Sequence, residues 1–275
     1  EIRLSLVGSE MCIRDSLERD ARECASYLAF VRQVGFRDAT DLLVGTERAV
    51  ASLRGLTRGL GDYNDDEFDQ TAFEAELDGT RMSVVLYWYW TRKLMLHVIS
   101  GDHAAALRAS EKVQPGPYVR IVQIQHLDYY YYTALAIAAI IGEAPANRRD
   151  DLRARLDAHH EQIRILANET RSPTIADKFV LVSAEIARLD GRELEAERLY
   201  EESIRLAREN GFMQNAGVAA EFAARFHTKR GLARIADMYL RDARDAYLRW
   251  GAHAKVRQLD ILHACLLYTS DAADE

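Results

Sequence analysis

His159, His160 and Glu161 stand side by side, the one polar cluster in this chain with metal-ligand character. On a helix His159 shares a face with Leu152, Leu156, Ile163 and Leu166, while His160 points elsewhere, so the two imidazoles do not converge on one ion. The cluster reads as helix packing. Asp62, Asn64 and Asp66, in the stretch RGLGDYNDDEFD from Arg58 to Asp69, have the oxygen spacing that opens a calcium loop. The sixth position is Glu67 where such a loop needs Gly, and the twelfth is Phe73 where it needs Glu. That stretch reads as a solvated acidic connector. Gly55, Gly59 and Gly61 cluster, but no strand precedes them and no phosphate-cradling spacing results. GxxxxGK[ST], HExxH, GxSxG and kinase catalytic-loop motifs are absent from the sequence. No catalytic residue, cofactor-binding residue or metal ligand is expected.

Two aromatic runs are the other unusual feature: Tyr87-Trp88-Tyr89-Trp90 and Tyr129-Tyr130-Tyr131-Tyr132. Four consecutive rings on a helix span about 300° of its circumference. Some must face a core and some a neighbour or a groove. One reading is packing between repeats. The other is a partner-binding groove lined by amphipathic rings, for which Tyr and Trp are favoured. On that reading the partner-binding residues are Trp88, Trp90, Arg92, Tyr129, Tyr130 and Tyr132. Arg92, Lys93 and His97 are expected on the exposed side of their helix, adding polar recognition.

The elements that position these residues are helices. No segment alternates with period two, and no hairpin signal separates β-branched runs. Apolar periodicity places about a dozen helices near 18–34, 37–55, 69–78, 82–100, 102–112, 118–142, 148–169, 173–189, 192–210, 214–230, 232–249 and 252–263. The four prolines, Pro115, Pro117, Pro145 and Pro173, interrupt none of the apolar periods. Ser172-Pro173 is an N-cap followed by an N1 proline. Asp190-Gly191 and Asn210-Gly211 read as helix C-termini. In the helix near 192–210, Ala196, Leu199, Tyr200, Ser203 and Ala207 form one stripe. Glu195–Arg198 and Glu201–Arg205 are expected to pair outside it. In the helix near 173–189, Phe179, Val180, Leu181, Val182, Ile186 and Leu189 point nearly all round, as a sandwiched helix requires.

Two ends do not fit this pattern. Ser5–Ser16 (SLVGSEMCIRDS) and Cys265–Glu275 (CLLYTSDAADE) resemble in-frame translations of transposon-end sequencing adapters. Residues 1–16 and 265–275 are therefore expected to be artefacts, with 17–264 a helical-repeat domain and a possible break at the 58–69 loop. Of three cysteines only Cys24 then remains, so no disulfide framework is expected, and Cys24 reads as a small buried hydrophobe. The formal charge of −7 falls to about −3 without the ends, which gives no electrostatic case for nucleic acid. Apolar stretches such as Val84–Trp90 are far short of the about 18 residues a membrane span needs, so no membrane association is expected. No secretory signal is recognisable, and a cytoplasmic location is the expectation.

A Gly followed five residues later by Ala recurs at Gly101/Ala106, Gly191/Ala196 and Gly231/Ala236. Each Gly ends one helix and each Ala lets the next approach closely. The unit resembles the tetratricopeptide helix–turn–helix. In that pattern a small residue precedes the Gly by seven, matched by Ala184 and Ala224 but not Leu94. A large apolar residue follows the Ala by four, matched by Tyr200 and Leu240 but not Ser110. Gly191 to Gly231 spans 40 residues, against about 34 in the ordinary repeat. The fold class expected is all-α, a tetratricopeptide-like α-solenoid of antiparallel helices.

Lys178–Asp260 resembles the helical region of large bacterial hybrid signalling proteins, which join a serine/threonine-kinase-like domain, an AAA-type ATPase, helical repeats, a GAF sensor and a histidine kinase. The marks are LVSAEIARLDGRELEAERLYE at 181–201, ARENGF at 207–212 and YLRDARDAYLRWGAHAKVRQL at 239–259. SLRGLTRGLGDYNDDEFD at 52–69 and YWYWTRK at 87–93 also fit. Met213–Gly217 departs from the family, and Gly217 is expected to loosen its helix start. The resemblance implies placement after the ATPase and before the sensor and kinase, with no catalytic residue to carry over. It implies a non-catalytic interaction and relay module. Its partners would be the ATPase, GAF and histidine-kinase domains in cis and an effector protein or ligand. The alternative is the sensor domain of an ATPase-type transcription activator, with a helix-turn-helix beyond residue 264.

Overall fold

The structure, a computed structural model, describes residues 16–77, 81–113, 123–170 and 173–263. Among them the fold is all-α: twelve helices and no strand. The adapter-like ends, apart from Ser16, lie outside the described residues, as do Pro115, Pro117 and Ser172. No described helix is long and apolar enough to cross a membrane. The chain divides between Arg171 and Ser172 into two compact units.

The first unit holds α1 (Leu17–Val34), α2 (Arg37–Arg54), α3 (Gln70–Glu76), α4 (Ser83–Ser100), α5 (His103–Lys112), α6 (Gln123–Ile140) and α7 (Ala146–Thr170). α1 pairs with α2, α6 with α7, and α4 packs against α2, α5 and α6. With three neighbours, α4 must be apolar nearly all round. Val85, Tyr87, Tyr89, Leu94, Leu96 and Ile99 are all buried. Cys24 is buried on α1, where its thiol faces the Leu43 carbonyl at 3.4 Å. The outer side of α1 leaves Tyr27, Phe30 and Val34 exposed.

Residues 58–69 correct the expectation of a solvated connector. Their carboxylates and amides cap backbone N–H groups. Asp62 accepts from Asn64 N at 2.9 Å, and Asp65 accepts from Glu67 N at 2.9 Å and Phe68 N at 2.7 Å. Asp69 caps the start of α3, accepting from Thr71 N at 2.8 Å and Ala72 N at 3.0 Å. Tyr63 is fully buried and meets Tyr89 of α4 edge-on at 5.7 Å. Short polar side chains compete well for nearby backbone donors, and here they freeze a loop rather than solvate it.

The second unit holds α8 (Pro173–Leu189), α9 (Glu193–Glu209), α10 (Met213–Lys229), α11 (Ala233–Trp250) and α12 (His253–Leu262). Each packs chiefly on the next, and α8 also touches α10. The joints are copies of one device. Gly191, Gly211, Gly231 and Gly251 all have φ between 72 and 90°, the left-handed conformation that glycine adopts without a Cβ penalty. The following residue then donates back to a carbonyl five positions earlier: Arg192 to Ala187, Phe212 to Ala207, Leu232 to His227 and Ala252 to Tyr247, each at 2.8–2.9 Å. This is the Schellman closure, and the next helix starts at once. A joint this short forces each helix to run back along the one before.

Two expectations in this unit are corrected. Gly217 does not loosen α10. A Cβ there would meet the Tyr247 ring at 2.9 Å, so the glycine lets α11 approach. The surface pairs on α9 also differ. Glu195 accepts from Arg192, Glu201 accepts from the Tyr239 hydroxyl of α11, and Arg205 is gripped by Glu202 and Glu209. Glu201 faces a neighbouring helix, and helix–helix packing overrides the local i,i+4 preference. Of the residues expected to make α8 apolar all round, Leu181, Val182 and Ile186 are buried and Phe179, Val180 and Leu189 are half-buried.

Candidate functional site

The two aromatic runs lie on α4 and α6, which pack together in the first unit. Helical rotation sorts their rings to different fates. Trp88 is 8% exposed and Tyr132 2%, so both are packing residues. Trp88 clusters with Tyr87 and Val113, and the Arg92 guanidinium lies over its ring at 4.9 Å. Tyr132 meets Tyr131 at 4.8 Å inside α6's buried face. Trp90, Arg92, Tyr129 and Tyr130 are half-buried.

Tyr129 and Tyr130 form a half-open aromatic face with two histidines that sequence reasoning did not place there. His159 of α7 sits 5.5 Å from Tyr129 and 5.6 Å from Tyr130. His126 lies 5.3 Å from Tyr87 and 6.2 Å from Tyr130. Burial, and then the nearby Arg155, push His159 down to about 4. Burial also lowers His126 and raises Tyr129 and Tyr130. At neutral pH these are uncharged amphipathic rings, suited to edge and face contacts with another apolar or aromatic group. Among the described residues no three His, Cys, Asp or Glu side chains are grouped to hold a metal ion.

Lys93 departs from its expected exposed position. It is 3% exposed, because the 58–69 loop folds over it. Its Nζ donates to the Gly61 carbonyl at 2.8 Å and Gln70 Oε1 at 3.0 Å, and it sits 4.3 Å from the centre of the Tyr63 ring. Burial brings its pKa down to about 8. Gly61 has φ 90°, and a Cβ on it would meet His97 Nδ1 at 3.3 Å, so the loop needs glycine at this contact.

Above Lys93 lies an open groove of about 480 Å³ between α4, α5 and the loop. One wall is the α4 stripe Trp90, Lys93, His97 and Ser100, spaced by three, four and three. The other is the α5 stripe Ala105, Arg108, Ala109 and Lys112. Sequence reasoning noted Lys93 and His97 but missed α5. The matching period of the two stripes, with two alanines making one shallow, was the available signal. Lys112 Nζ lies 3.9 Å from the centre of the Trp90 ring. Burial, followed by Lys93, pushes His97 down to about 4.

No family model, no curated protein and no solved structure matches this chain.

Proposed function

We propose that this chain is a non-catalytic helical-repeat interaction and relay module, a segment of a multidomain cytoplasmic signalling ATPase/kinase. Its partners in this reading are the ATPase, GAF and histidine-kinase domains of the same polypeptide. The reading grows from the sequence resemblance of Lys178–Asp260 and from the helix-pair architecture, which offers long side-chain surfaces on a stack of short-range contacts.

The half-open face formed by Tyr129, Tyr130 and His159 carries the proposal. Three uncharged rings lie edge and face together at 5.5–5.6 Å, partly open to solvent. Rigid aromatic anchors of this kind supply large contact area at low conformational cost. A neighbouring domain that grips the face in one of its states only would transmit that state, since coupling needs differential contacts and nothing more.

The test uses the uninterrupted parent chain. Tyr129→Ala/Tyr130→Ala is expected to weaken the coupling between ATP hydrolysis and histidine autophosphorylation at least tenfold, with helicity unchanged by circular dichroism. Unchanged coupling in a folded variant would overturn the proposal, as would ATP turnover by the 275-residue chain alone.

A further inference from the structure

The groove over Lys93 holds carboxylates and cations together, and Lys112 already covers its Trp90 ring. The aromatic face of α6 and α7 is one-sided instead, and its charge comes from α7. Arg155 stands one turn before His159, and both border the buried stripe of Leu152, Leu156 and Ile163. The guanidinium is half-buried, and its charge reaches the Tyr129 and His159 rings alike.

Other arginines of this helix are paired. Arg153 meets Asp157 at 3.0 Å, and Arg164 meets Glu161 at 2.6 Å, which commits both carboxylates. Asp151, one turn before Arg155, makes no ion pair with it, and among the described residues no other carboxylate does. Asp128 of α6 acts on Tyr87. Burial is the largest influence on Tyr129, Tyr130, His126 and His159, and no described carboxylate acts on any of the four. The face therefore offers uncharged rings beside one uncommitted cation.

Each component selects part of a partner. Tyr129 and Tyr130 tilt by 56°, Tyr130 and His159 by 42°, and Tyr129 and His159 by 85°. Edges and faces mixed in this way match another aromatic ring better than a saturated side chain. Arg155 repels a cationic partner. It offers a carboxylate two parallel charge-assisted hydrogen bonds, made stronger by the apolar rings around them.

We infer that this face docks a protein segment carrying an aromatic side chain flanked by carboxylates. The partner's ring lies against Tyr129, Tyr130 and His159, and one of its carboxylates accepts from Arg155. The inference rests on the docking role proposed above for this face and names the chemistry of what docks.

The experiment titrates the 275-residue chain at neutral pH with three end-capped peptides, Gly-Glu-Phe-Glu-Gly, Gly-Lys-Phe-Lys-Gly and Gly-Glu-Ala-Glu-Gly. The His159 ring resonances are followed by NMR. Saturable movement is expected with the acidic aromatic peptide, at least tenfold tighter than with either of the others. Arg155→Gln should lose at least tenfold in affinity for that peptide, and its preference over the basic one, at an unchanged thermal midpoint. Arg155→Lys, which keeps the charge, should retain the preference. Arg164→Gln, an exposed change on the same helix, should bind like the parent chain. No saturable binding of the acidic aromatic peptide, equal affinity for the basic one, full affinity in Arg155→Gln, or saturation that leaves His159 unmoved would each overturn the assignment. Peptide binding is read without the ATPase or the kinase. Failure here, beside a Tyr129→Ala/Tyr130→Ala variant that still uncouples them, removes this partner chemistry alone. The expected binding beside unchanged coupling keeps the docking chemistry and removes the relay role.

Discussion

The second unit repeats one joint every twenty residues, while in the first unit left-handed glycines end helices at Gly35, Gly55 and Gly101 but the one at Gly55 opens into the long 58–69 loop. In the second unit, Gly191, Gly211, Gly231 and Gly251 each close a helix in the same way, with a single residue before the next. In the first, α2 gives way to the knotted loop at 58–69, α4 turns into α5 through an aspartate cap, and α4 touches three other helices. Regular joints allow each helix to be satisfied by its chain neighbours. Irregular joints bring distant residues such as Gly61, Lys93 and Arg108 to one place, and it is there that a cavity opens. The difference teaches that regularity builds surface, whereas a broken repeat builds a cavity.

The largest expected effect tests the irregular unit. Lys93→Met keeps much of the side chain's apolar length but removes the ammonium that joins the loop to α4. Gly61 O then loses its donor inside the protein, while Gln70 Oε1 still accepts from Tyr63 N at 3.0 Å. A buried acceptor left without its donor costs about 1–3 kcal/mol, so the variant should lose about 2 kcal/mol in urea unfolding. A loss below about 1 kcal/mol would mean that the loop is held by Tyr63 and its own caps, with Lys93 incidental.

A smaller loss is expected at the regular unit's tightest contact. Gly217→Ala gains about 1 kcal/mol of helix propensity. Its new methyl would sit 2.9 Å from a Tyr247 ring that cannot easily yield. The ring is fully buried, and its hydroxyl donates to Glu221 at 2.8 Å. Overpacking costs about 1–3 kcal/mol, so sterics should win by about 1 kcal/mol net in chemical unfolding. A stabilised Gly217→Ala would show that α10 and α11 can separate freely, and the regular stack would be looser than it looks.

These two positions also mark how far the sequence was legible. The helices were readable almost to their ends, because apolar period and left-handed glycines are local signals. Asp190-Gly191 and Asn210-Gly211 announced their caps. The twenty-residue beat was missed because the repeat was sought at the length of a helix pair. Phe212 and Ala252, which follow two of the glycines, differ too much to advertise the common joint. Side-chain fates were harder. Trp88 and Trp90 sit two residues apart, about 200° around a helix, and only the identity of the neighbours decides which one is buried. Lys93 read as exposed because a lysine usually is. Its burial depends on Gly61 and Gln70, 32 and 23 residues away, folding over it. Gly217 looked like weakness because its partner Tyr247 lies in another helix.

The third effect is a gain and is pH-dependent. Asp177 of α8 is 1% exposed, and burial raises its pKa to about 6. One oxygen accepts from Asn215 Nδ2 at 2.6 Å, and the Lys178 charge and the backbone N–H groups of Asp177 and Lys178 also act against the burial, which still prevails. Above pH 6 both folded and unfolded chains carry the charge, and the burial penalty is present in full. As pH falls from 6 toward the ordinary 3.8, the folded chain takes up its proton first, so this group's contribution to stability rises across that window. Asp177→Asn should stabilise the chain at pH 7 by about 2 kcal/mol. The difference between variant and parent should shrink on acidification to pH 4. A destabilised variant at pH 7 would show that the carboxylate charge is compensated by groups other than the amide.

The smallest effect concerns the surface of the regular unit. Arg205 makes the densest set of ion pairs on α9, reaching Glu202 and Glu209 at 2.6 Å each. Both partners and the arginine are solvent-exposed, and such pairs are screened and entropically costly to hold in place. If the second unit is held by its buried stripe of Ala196, Tyr200, Ser203 and Ala207, then Arg205→Ala should leave the urea midpoint unchanged at physiological salt. Only a slight downward shift should emerge at low ionic strength. Tyr200→Phe supplies the contrast in the same helix. It removes one hydroxyl donated to the buried Glu185, whose other partner is Arg188, and should cost about 1–2 kcal/mol. A midpoint that follows Arg205 more closely than Tyr200 would reverse the ranking. The regular stack would then be an assembly of charged helices held from outside, and its glycine joints would set spacing without packing a core.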